Sequence, residues 1–451
     1  MKIKTKLLPY QQSAYEKLGR LKIGALYMDM GVGKTRTMIE IIIRKLSKNK
    51  IDHILWLCPV STITNLKTDI EKHTDGLIDK ISIIGIESLS QSDREYLKAL
   101  DIVENNKCML IVDESHKVKN WFAKRTKRSI RLSECCTYKY LLTGTPVTKN
   151  ETDLFSQWYI LDKRIFGYRS YDSFCRNHLE LDENNKVVRV LNVEYLTRKM
   201  EPYTYIIKKE DIDIDLKRKI YETFHFELNI DQIRHYKEVK NKMLSFVDEE
   251  EWDENIIFRV FTALQLISSG RYIISPKKHE KLEHRPMFEN PLYNPRIDAL
   301  RYLIEDEEEK VIIWCKYQFE IEDVETLLLK LNKKYTLLHG NININKRNKN
   351  IKAFKNDVQF LVANMGVGGT GLNLQFAHKA IYYSNSFDWG NKSQSEDRLH
   401  RIGQNKDVHI TDLYSTCSID KIIEKNLENK ESISYCINRF LKDKKLFKDV
   451  I

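Results

Sequence analysis

The run Met28-Asp-Met-Gly-Val-Gly-Lys-Thr35 constrains this chain more than any other segment. It follows the short apolar stretch Ile23 to Tyr27 and precedes the helical spacing Met38, Ile39, Ile42, Ile43 and Leu46. Strand, glycine loop and helix in that order build a phosphate cradle, because glycines let backbone N–H groups close on phosphate oxygens at a helix N-terminus. Gly31 and Gly33 then shape the cradle, Lys34 reaches the outer phosphates and Thr35 offers its hydroxyl to magnesium. The spacing alone also fits a helix-capping turn, since the strict pattern wants Gly where Met28 stands.

A second motif favours the nucleotide. Cys108 to Val112 is another short apolar run, and it ends in Asp113-Glu114-Ser115-His116. A carboxylate at the tip of a buried parallel strand can hold magnesium through water while its neighbour orients the attacking water. Asp113 takes the first role and Glu114 the second, the alternative being a solvated acidic turn.

With 451 residues, 42% of them apolar, the chain can form two or three domains with real cores. A formal charge of +11 suits a polyanionic partner and favours nucleic acid over membrane. No run approaches the ~18 apolar residues of a membrane span. The start, Met1-Lys-Ile-Lys-Thr-Lys, lacks the apolar core of a signal peptide. The expectation is a soluble cytoplasmic protein, of a bacterium or a phage-infected host. Cys58, Cys108, Cys135, Cys136, Cys175, Cys315, Cys417 and Cys436 show no C-x-x-C pairing and read as reduced core thiols.

Further apolar runs lie at Ile54 to Leu57, Tyr140 to Thr143, Val311 to Cys315, Tyr335 to Leu338, Phe360 to Ala363, Ala380 to Tyr383 and Val408 to Leu413. Such runs alternating with helical patterns mark βα units, so two parallel sheets are expected, one in each half. Residues 150 to 295 read mostly helical and aromatic, with an acidic patch at Asp248 to Glu254 and turns at Pro276, Pro286, Pro291 and Pro295. The second sheet is expected to start near Pro295.

ATP hydrolysis also needs positive charge at the transferring phosphoryl group. In Gln394-Ser-Glu-Asp-Arg398-Leu-His-Arg401-Ile-Gly-Gln404, two arginines three apart share a face if the segment is helical, although an isolated pair also reads as surface charge. Upstream, Ala363 to Leu374 holds four glycines in six residues, Gly366 to Gly371. That loop permits close approach to backbone or phosphates, or is a plain turn.

The ordered set resembles the Swi/Snf family of DNA translocases, within helicase superfamily two, over nearly the whole chain. Leu8-Pro-Tyr-Gln11 looks like the adenine-reading entry motif, Met30 to Thr35 like motif I and Cys58-Pro-Val-Ser61 like motif Ia. Asp113 to His116 with Lys117-Val-Lys-Asn120 is similar to motif II, and Leu142-Thr-Gly-Thr-Pro146 to motif III. Val311 to Cys315 looks like motif IV, with Leu338-His-Gly340, Arg347 and Phe354 like the segment after it. Ala363 to Leu374 resembles motif V, and Asp388-Trp389 with Gln394 to Gln404 resembles motif VI. Leu228-Asn-Ile-Asp-Gln232 and Tyr236 look like the segment linking the lobes. Departures are Met28-Asp29 for the usual Asp-Glu, Leu66 for a frequent Trp, Ser115 for Ala, and Gly390-Asn391 for Asn-Pro.

The resemblance implies an α/β fold of two RecA-like parallel-sheet lobes in tandem with helical insertions. Lobe one is expected at 1–215 with an insertion at about 150–200, a linker and helical insertion at 216–295, and lobe two at 296–451. It implies ATP and magnesium bound between the lobes. Gln11, Gly31, Val32, Gly33, Lys34, Thr35, Asp113 and Glu114 lie on one wall, with Gly371, Arg398 and Arg401 on the other and Thr35 and Asp113 at the metal. His116, Thr143, Gly144, Thr145 and Gln394 are implied to couple nucleotide state to DNA. Movement on duplex or branched DNA, nearly blind to sequence, by a monomeric motor is the implied activity. The DNA-tracking candidate is Lys117 to Arg131, with Lys117, Lys119, Lys124, Arg125, Lys127, Arg128 and Arg131 around Trp121 and Phe122; a solvated helix face is the alternative. Because the chain ends soon after the second lobe, an autonomous motor for forks, branch migration or protein displacement is expected rather than a nucleosome remodeler.

Three rivals follow from the same residues. A GTPase would need its guanine-reading pattern later than Asn49-Lys-Ile-Asp52, and a Gly after Asp113. An RNA helicase of the same superfamily is separated by the Gln404-ending motif and the insertions. A non-catalytic DNA-binding module would tolerate loss of Lys34, Glu114 or Arg401, and all three are present.

Overall fold

Strands that read as unbroken apolar runs need cover on both faces, and this chain meets that need twice. A computed structural model describes residues 2–147, 151–181, 187–212, 216–249, 253–275, 282–368, 372–401, 403–431 and 433–451. The chain divides into two compact units, Met1–Asp215 and Leu216–Ile451.

The first unit is built on β1 Ile23–Met28, β2 His53–Cys58, β3 Ile81–Gly85, β4 Cys108–Asp113, β5 Tyr138–Thr143 and β6 Thr204–Ile207. They form one sheet in the order β6-β1-β5-β4-β2-β3, every pair parallel. Successive side chains serve opposite faces. Leu110 and Val112 enter one core with Leu55 and Leu57, while Met109 and Ile111 enter the other with Ile54 and Trp56. The helix Lys34–Ser47 adds Met38, Ile39 and Ile42 to the second core, each fully buried. Burying one such side chain contributes about 1.5–3 kcal/mol.

The second unit repeats the plan with β7 Lys219–Phe226, β8 Val311–Cys315, β9 Tyr335–Leu338, β10 Phe360–Asn364, β11 Lys379–Tyr382 and β12 Val408–Ser415. Their order is β7-β12-β11-β8-β10-β9, again all parallel. Val311 and Ile313 face one core, Ile312 and Trp314 the other. The fold is α/β: two RecA-like parallel-sheet lobes in tandem with helical insertions.

The middle of the chain departs from the mostly helical expectation. Helices Asp153–Asp162, Tyr171–His178, Val193–Met200, Ile230–Glu249 and Glu254–Ser268 are present. Between them, however, Leu179–Leu181 pairs antiparallel with Val187–Val190, and Arg271–Ser275 with Glu283–Pro286. Thr204–Ile207 edges the first sheet, and Lys219–Phe226 edges the second from Lys219↔Val408 to Phe226↔Ser415. The second sheet therefore begins well before Pro295. Edge strands are wetter, and Tyr221 is 51% exposed, so the run KIYETFHF shows no continuous apolar signal. Pro276 and residues 250–252 of the acidic patch lie outside the described residues.

One ion pair pins the second unit. Arg296, 1% exposed, donates from Nη2 to Asp420 Oδ2 at 2.6 Å and from Nη1 to the Tyr383 carbonyl at 2.7 Å. Asp420 Oδ2 also accepts from Ser268 Oγ at 3.1 Å and the Ser415 amide at 2.8 Å. A buried pair is tolerated when its remaining hydrogen-bonding capacity is met in this way. All eight cysteines are free thiols. Among the described residues no helix is long and apolar enough to cross a membrane.

Candidate nucleotide site

The glycine loop leaves the sheet after Met28 and turns into the helix at Lys34. Gly31 and Gly33 hold φ of 79° and 87°, a left-handed region that a side chain would strain. A Cβ on Gly33 would also lie 2.3 Å from Gln11 Nε2. Gln11 is 3% exposed; its Nε2 donates to the Val32 carbonyl at 3.0 Å and its Oε1 accepts from the Leu8 amide at 3.0 Å. The residue implied to read adenine is thus fastened to the phosphate loop through its amide nitrogen, while its amide oxygen caps the start of its own helix. Lys34 Nζ curls over the loop, donating to the Met28 carbonyl at 2.8 Å and the Asp29 carbonyl at 3.2 Å. Thr35 sits in the first helical turn, half-buried. Asp29, in place of the family's usual Glu, accepts the Lys209 amide on Oδ2 at 2.9 Å.

Three neighbouring strands bring the remaining groups alongside. β5 lies between β1 and β4, with Tyr27 opposite Thr143 and Asp113 opposite Leu142. The glycine loop, the Thr143–Thr145 turn and the Asp113–His116 turn therefore share the C-terminal edge of the sheet, where parallel sheets bind ligands. A Cβ on Gly144 would sit 3.3 Å from the Met28 carbonyl, so the two loops are in close contact.

Burial, then the neighbouring Glu114 charge, push the Asp113 carboxyl up to about 7, with Lys34 opposing them. Glu114 adopts φ 49°, ψ 53°, a conformation costing a non-glycine residue about 1 kcal/mol or more, and its amide donates to Asp113 Oδ1 at 2.9 Å. Its Oε2 is buried without a hydrogen bond, 3.5 Å from His116 Nδ1. Burial holds His116 below its ordinary value, favouring the neutral ring, and its Nδ1 meets Thr143 Oγ1 at 3.2 Å. Thr143 Oγ1 in turn accepts the Thr145 amide at 3.1 Å. The chain of contacts runs from Glu114 through His116 to Thr143 and Thr145.

This donor set fits magnesium. Two adjacent carboxylates, one pushed toward protonation and the other lacking a donor, are what a divalent cation relieves. Among the described residues no group of three or more His, Cys, Asp or Glu gathers for a metal. A cation here would draw on Asp113, Thr35, water and phosphate oxygens, the sparse protein coordination magnesium prefers.

The second unit holds the remaining candidates. The helix Trp389–Glu396 carries a half-buried Gln394 and stops before Arg398 and Arg401, correcting the expectation that one helix carries both arginines. Its end tightens into i→i−3 bonds, Arg398 amide to Ser395 carbonyl at 3.2 Å and Leu399 amide to Glu396 carbonyl at 3.0 Å. The His400 amide keeps one helical bond to the Glu396 carbonyl at 2.9 Å, and the Arg398 carbonyl then accepts the Leu374 amide at 3.1 Å. Arg398 is 7% exposed. Gln404 acts as a brace: Nε2 donates to the Gln375 and Ala377 carbonyls at 3.0 and 2.9 Å, and Oε1 accepts the Asn405 and Lys406 amides. Gly371 lies outside the described residues, and the described part of its loop starts as the short helix Met365–Gly368.

The basic stretch is largely engaged with the protein itself. Lys119 pairs with Asp153 at 3.4 Å, Lys124 with Asp93 at 3.1 Å and Arg131 with Glu134 at 3.0 Å. Arg128 contacts the same Asp93 and donates to the Leu89 carbonyl at 2.8 Å, while Lys127 sits 3.5 Å over the Trp121 ring. Lys117 and Arg125 are half-buried, and Phe122 is 72% exposed.

Sequence reasoning missed Gln157, which carries no motif signal. Its Oε1 accepts from Ser115 Oγ at 2.7 Å and its Nε2 donates to the Pro146 carbonyl at 2.7 Å. The only hint was Ser115, visible as a departure from the usual Ala.

The family model described as SNF2-related domain matches residues 77–275, and that described as Helicase conserved C-terminal domain matches 295–403. A model described as Type III restriction enzyme, res subunit, matches 4–148. The chain is 22% identical over 429 residues to "Chromodomain-helicase-DNA-binding protein 1-like" of Mus musculus, covering 89% of this chain and 46% of that protein. It is 25% identical over 441 residues to "SWI/SNF chromatin-remodeling complex subunit snf22" of Schizosaccharomyces pombe, covering 89% of this chain and 26% of the relative. A solved structure, "Sulfolobus solfataricus SWI2/SNF2 ATPase core in complex with dsDNA", is similar at 22% identity with a TM-score of 0.42, covering 100% of this chain and 96% of that one. The chain spans less than half the length of the two curated relatives named here. With its ordered motifs, two parallel-sheet lobes and tandem SNF2-related and helicase C-terminal matches, the chain belongs to the Swi/Snf family of helicase superfamily two and forms that family's ATPase core.

Proposed function

We propose that the chain is a DNA-dependent ATPase that couples ATP hydrolysis to movement on duplex or branched DNA. The observation that carries this reading is the 3.2 Å contact of His116 Nδ1 with Thr143 Oγ1, which ties the Asp113–Glu114 carboxylates to the turn beside the glycine loop. A change at the phosphates can then reach the turn without crossing solvent.

In this reading the glycine loop amides and Lys34 bind the phosphates, Gln11 steadies the loop near the base, and Thr35 and Asp113 hold magnesium. Magnesium, when bound, supplies positive charge to the phosphate oxygens. Glu114 orients and deprotonates the attacking water; its Oε2 accepts no hydrogen bond and stands 3.5 Å from His116 Nδ1. Arg398 and Arg401 supply charge to the transferring phosphoryl group, worth several kcal/mol of barrier. Grip on DNA is mostly phosphate contact and salt-sensitive, with Lys117 and Arg125 leading among the basic candidates. The tasks suited to such a motor are remodelling forks, driving branch migration or stripping proteins from DNA.

ATPase rates measured with duplex DNA, single strands, junctions and RNA test the reading. Stimulation by duplex or junction DNA is expected; stimulation by RNA alone contradicts it.

A further inference from the structure

The helix Asp153–Asp162 packs against both nucleotide-proximal turns of the first unit through one face. Asp153, Ser156 and Gln157 stand at i, i+3 and i+4, so their side chains project together. All three bond the segment after the acidic pair. Asp153 pairs with Lys119 at 3.4 Å, and Ser156 Oγ donates to the Val118 and Lys119 carbonyls at 2.8 and 2.7 Å. Gln157 Oε1 accepts from Ser115 Oγ, directly after Glu114, at 2.7 Å. Gln157 also reaches the other way, its Nε2 donating at 2.7 Å to the Pro146 carbonyl, directly after Thr145.

Ser115 and Gln157 are both 0% exposed. A buried amide gains its full hydrogen-bond energy only when donor and acceptor ends are both matched, and leaving one end unmatched costs about 1–3 kcal/mol. Gln157 takes its oxygen's donor from one turn, and its nitrogen donates to the other turn and, at 2.8 Å, to the Asp153 carbonyl of its own helix, so separating the turns leaves either its oxygen or one of its two N–H groups unmatched. The serine at position 115 supplies the hydroxyl that completes the bridge; an alanine would leave Gln157 Oε1 buried without that donor.

We propose that Gln157 is a positioning residue for ATP hydrolysis. Through Ser115 and Pro146 it holds the Asp113–Glu114 carboxylates and the Thr143–Thr145 turn in one geometry, so that the two answer nucleotide as a unit. The inference rests on the ATPase reading above and adds a residue to it. Displacing a water-orienting carboxylate by about 1 Å lowers turnover far more than it lowers substrate affinity.

The test is steady-state ATP hydrolysis by the purified full chain in saturating duplex DNA, with thermal unfolding followed in parallel. Gln157→Leu is expected to lower kcat about tenfold while KM for ATP stays within about twofold. Ser115→Ala, which spares the Pro146 bond, is expected to lower kcat about threefold. The double variant should be no slower than Gln157→Leu alone, because both changes break one bridge. A Gln157→Leu enzyme with wild-type kcat, losses that multiply in the double variant, or a loss that merely follows the unfolded fraction overturns the proposal. If Gln157→Leu does not fold, Ser115→Ala decides: a lower kcat at unchanged KM supports the bridge, and an unchanged kcat overturns it. Wild-type protein that hydrolyses no ATP with any DNA overturns the ATPase reading instead, which keeps the two failures distinct.

Discussion

His116 Nδ1 and Thr143 Oγ1 lie 3.2 Å apart, and that contact joins the end of β4 to the turn after β5. Both groups are shielded, Thr143 being 0% exposed, so the bond is not readily exchanged for water. His116→Ala should lower the ratio of DNA-stimulated to unstimulated ATPase about fivefold or more. An unchanged ratio contradicts a coupling role for His116.

Asp113 gives a pH dependence with a defined sign. Its carboxyl rises from an ordinary value of 3.8 to about 7 through burial and the Glu114 charge. A group raised in the folded state contributes its stability fully below the unfolded value and loses it as pH climbs through the folded one. Without magnesium, Asp113→Asn should therefore melt close to wild type near pH 4 and above it by a few degrees at about pH 8. Magnesium should raise the wild-type melting temperature at about pH 8 and leave the Asn variant nearly unmoved. Differential scanning fluorimetry across that range reads both effects.

Arg401→Ala should lower kcat by about a hundredfold or more while ATP affinity, read with a fluorescent nucleotide, stays within about threefold. Equal loss of turnover and affinity contradicts a transition-state role. The same comparison on Arg398→Ala is less clean, because that side chain is 7% exposed and truncating it also removes buried packing.

Asp420→Ala strands Arg296 in an interior where that guanidinium is 1% exposed. Breaking one side of a buried pair costs about 3–5 kcal/mol. Urea unfolding should show a destabilised transition assignable to the second unit, and wild-type stability would contradict the structural role given to the pair.

The sheets were legible because their central strands are fully covered. Leu110, Ile111 and Val112, like Ile312 and Ile313, are buried on alternating faces, so each run reads as continuously apolar. β7 was not legible: Glu222 and Thr223 are exposed at the sheet edge, and a half-wet strand resembles a loop or a polar helix in composition. The phosphate loop and acidic pair announce themselves because their backbone demands are local. Gln157 does not, since its partners Ser115 and Pro146 are set 42 and 11 residues away by the packing of a helix. The pairing of the basic stretch with its own unit was hidden for the same reason. Counting charges says nothing of Asp93, which lies 31 residues before Lys124 and contacts both Lys124 and Arg128.

Displacement of a third strand from a triplex on duplex DNA measures coupled movement, because translocation removes that strand without opening the duplex. Wild-type protein with ATP and magnesium should release the third strand, while Lys34→Ala and Glu114→Gln release none and Glu114→Gln still binds ATP. Vigorous DNA-stimulated hydrolysis with no strand release, or release that persists in Glu114→Gln, would show that hydrolysis in this chain does not drive movement on DNA.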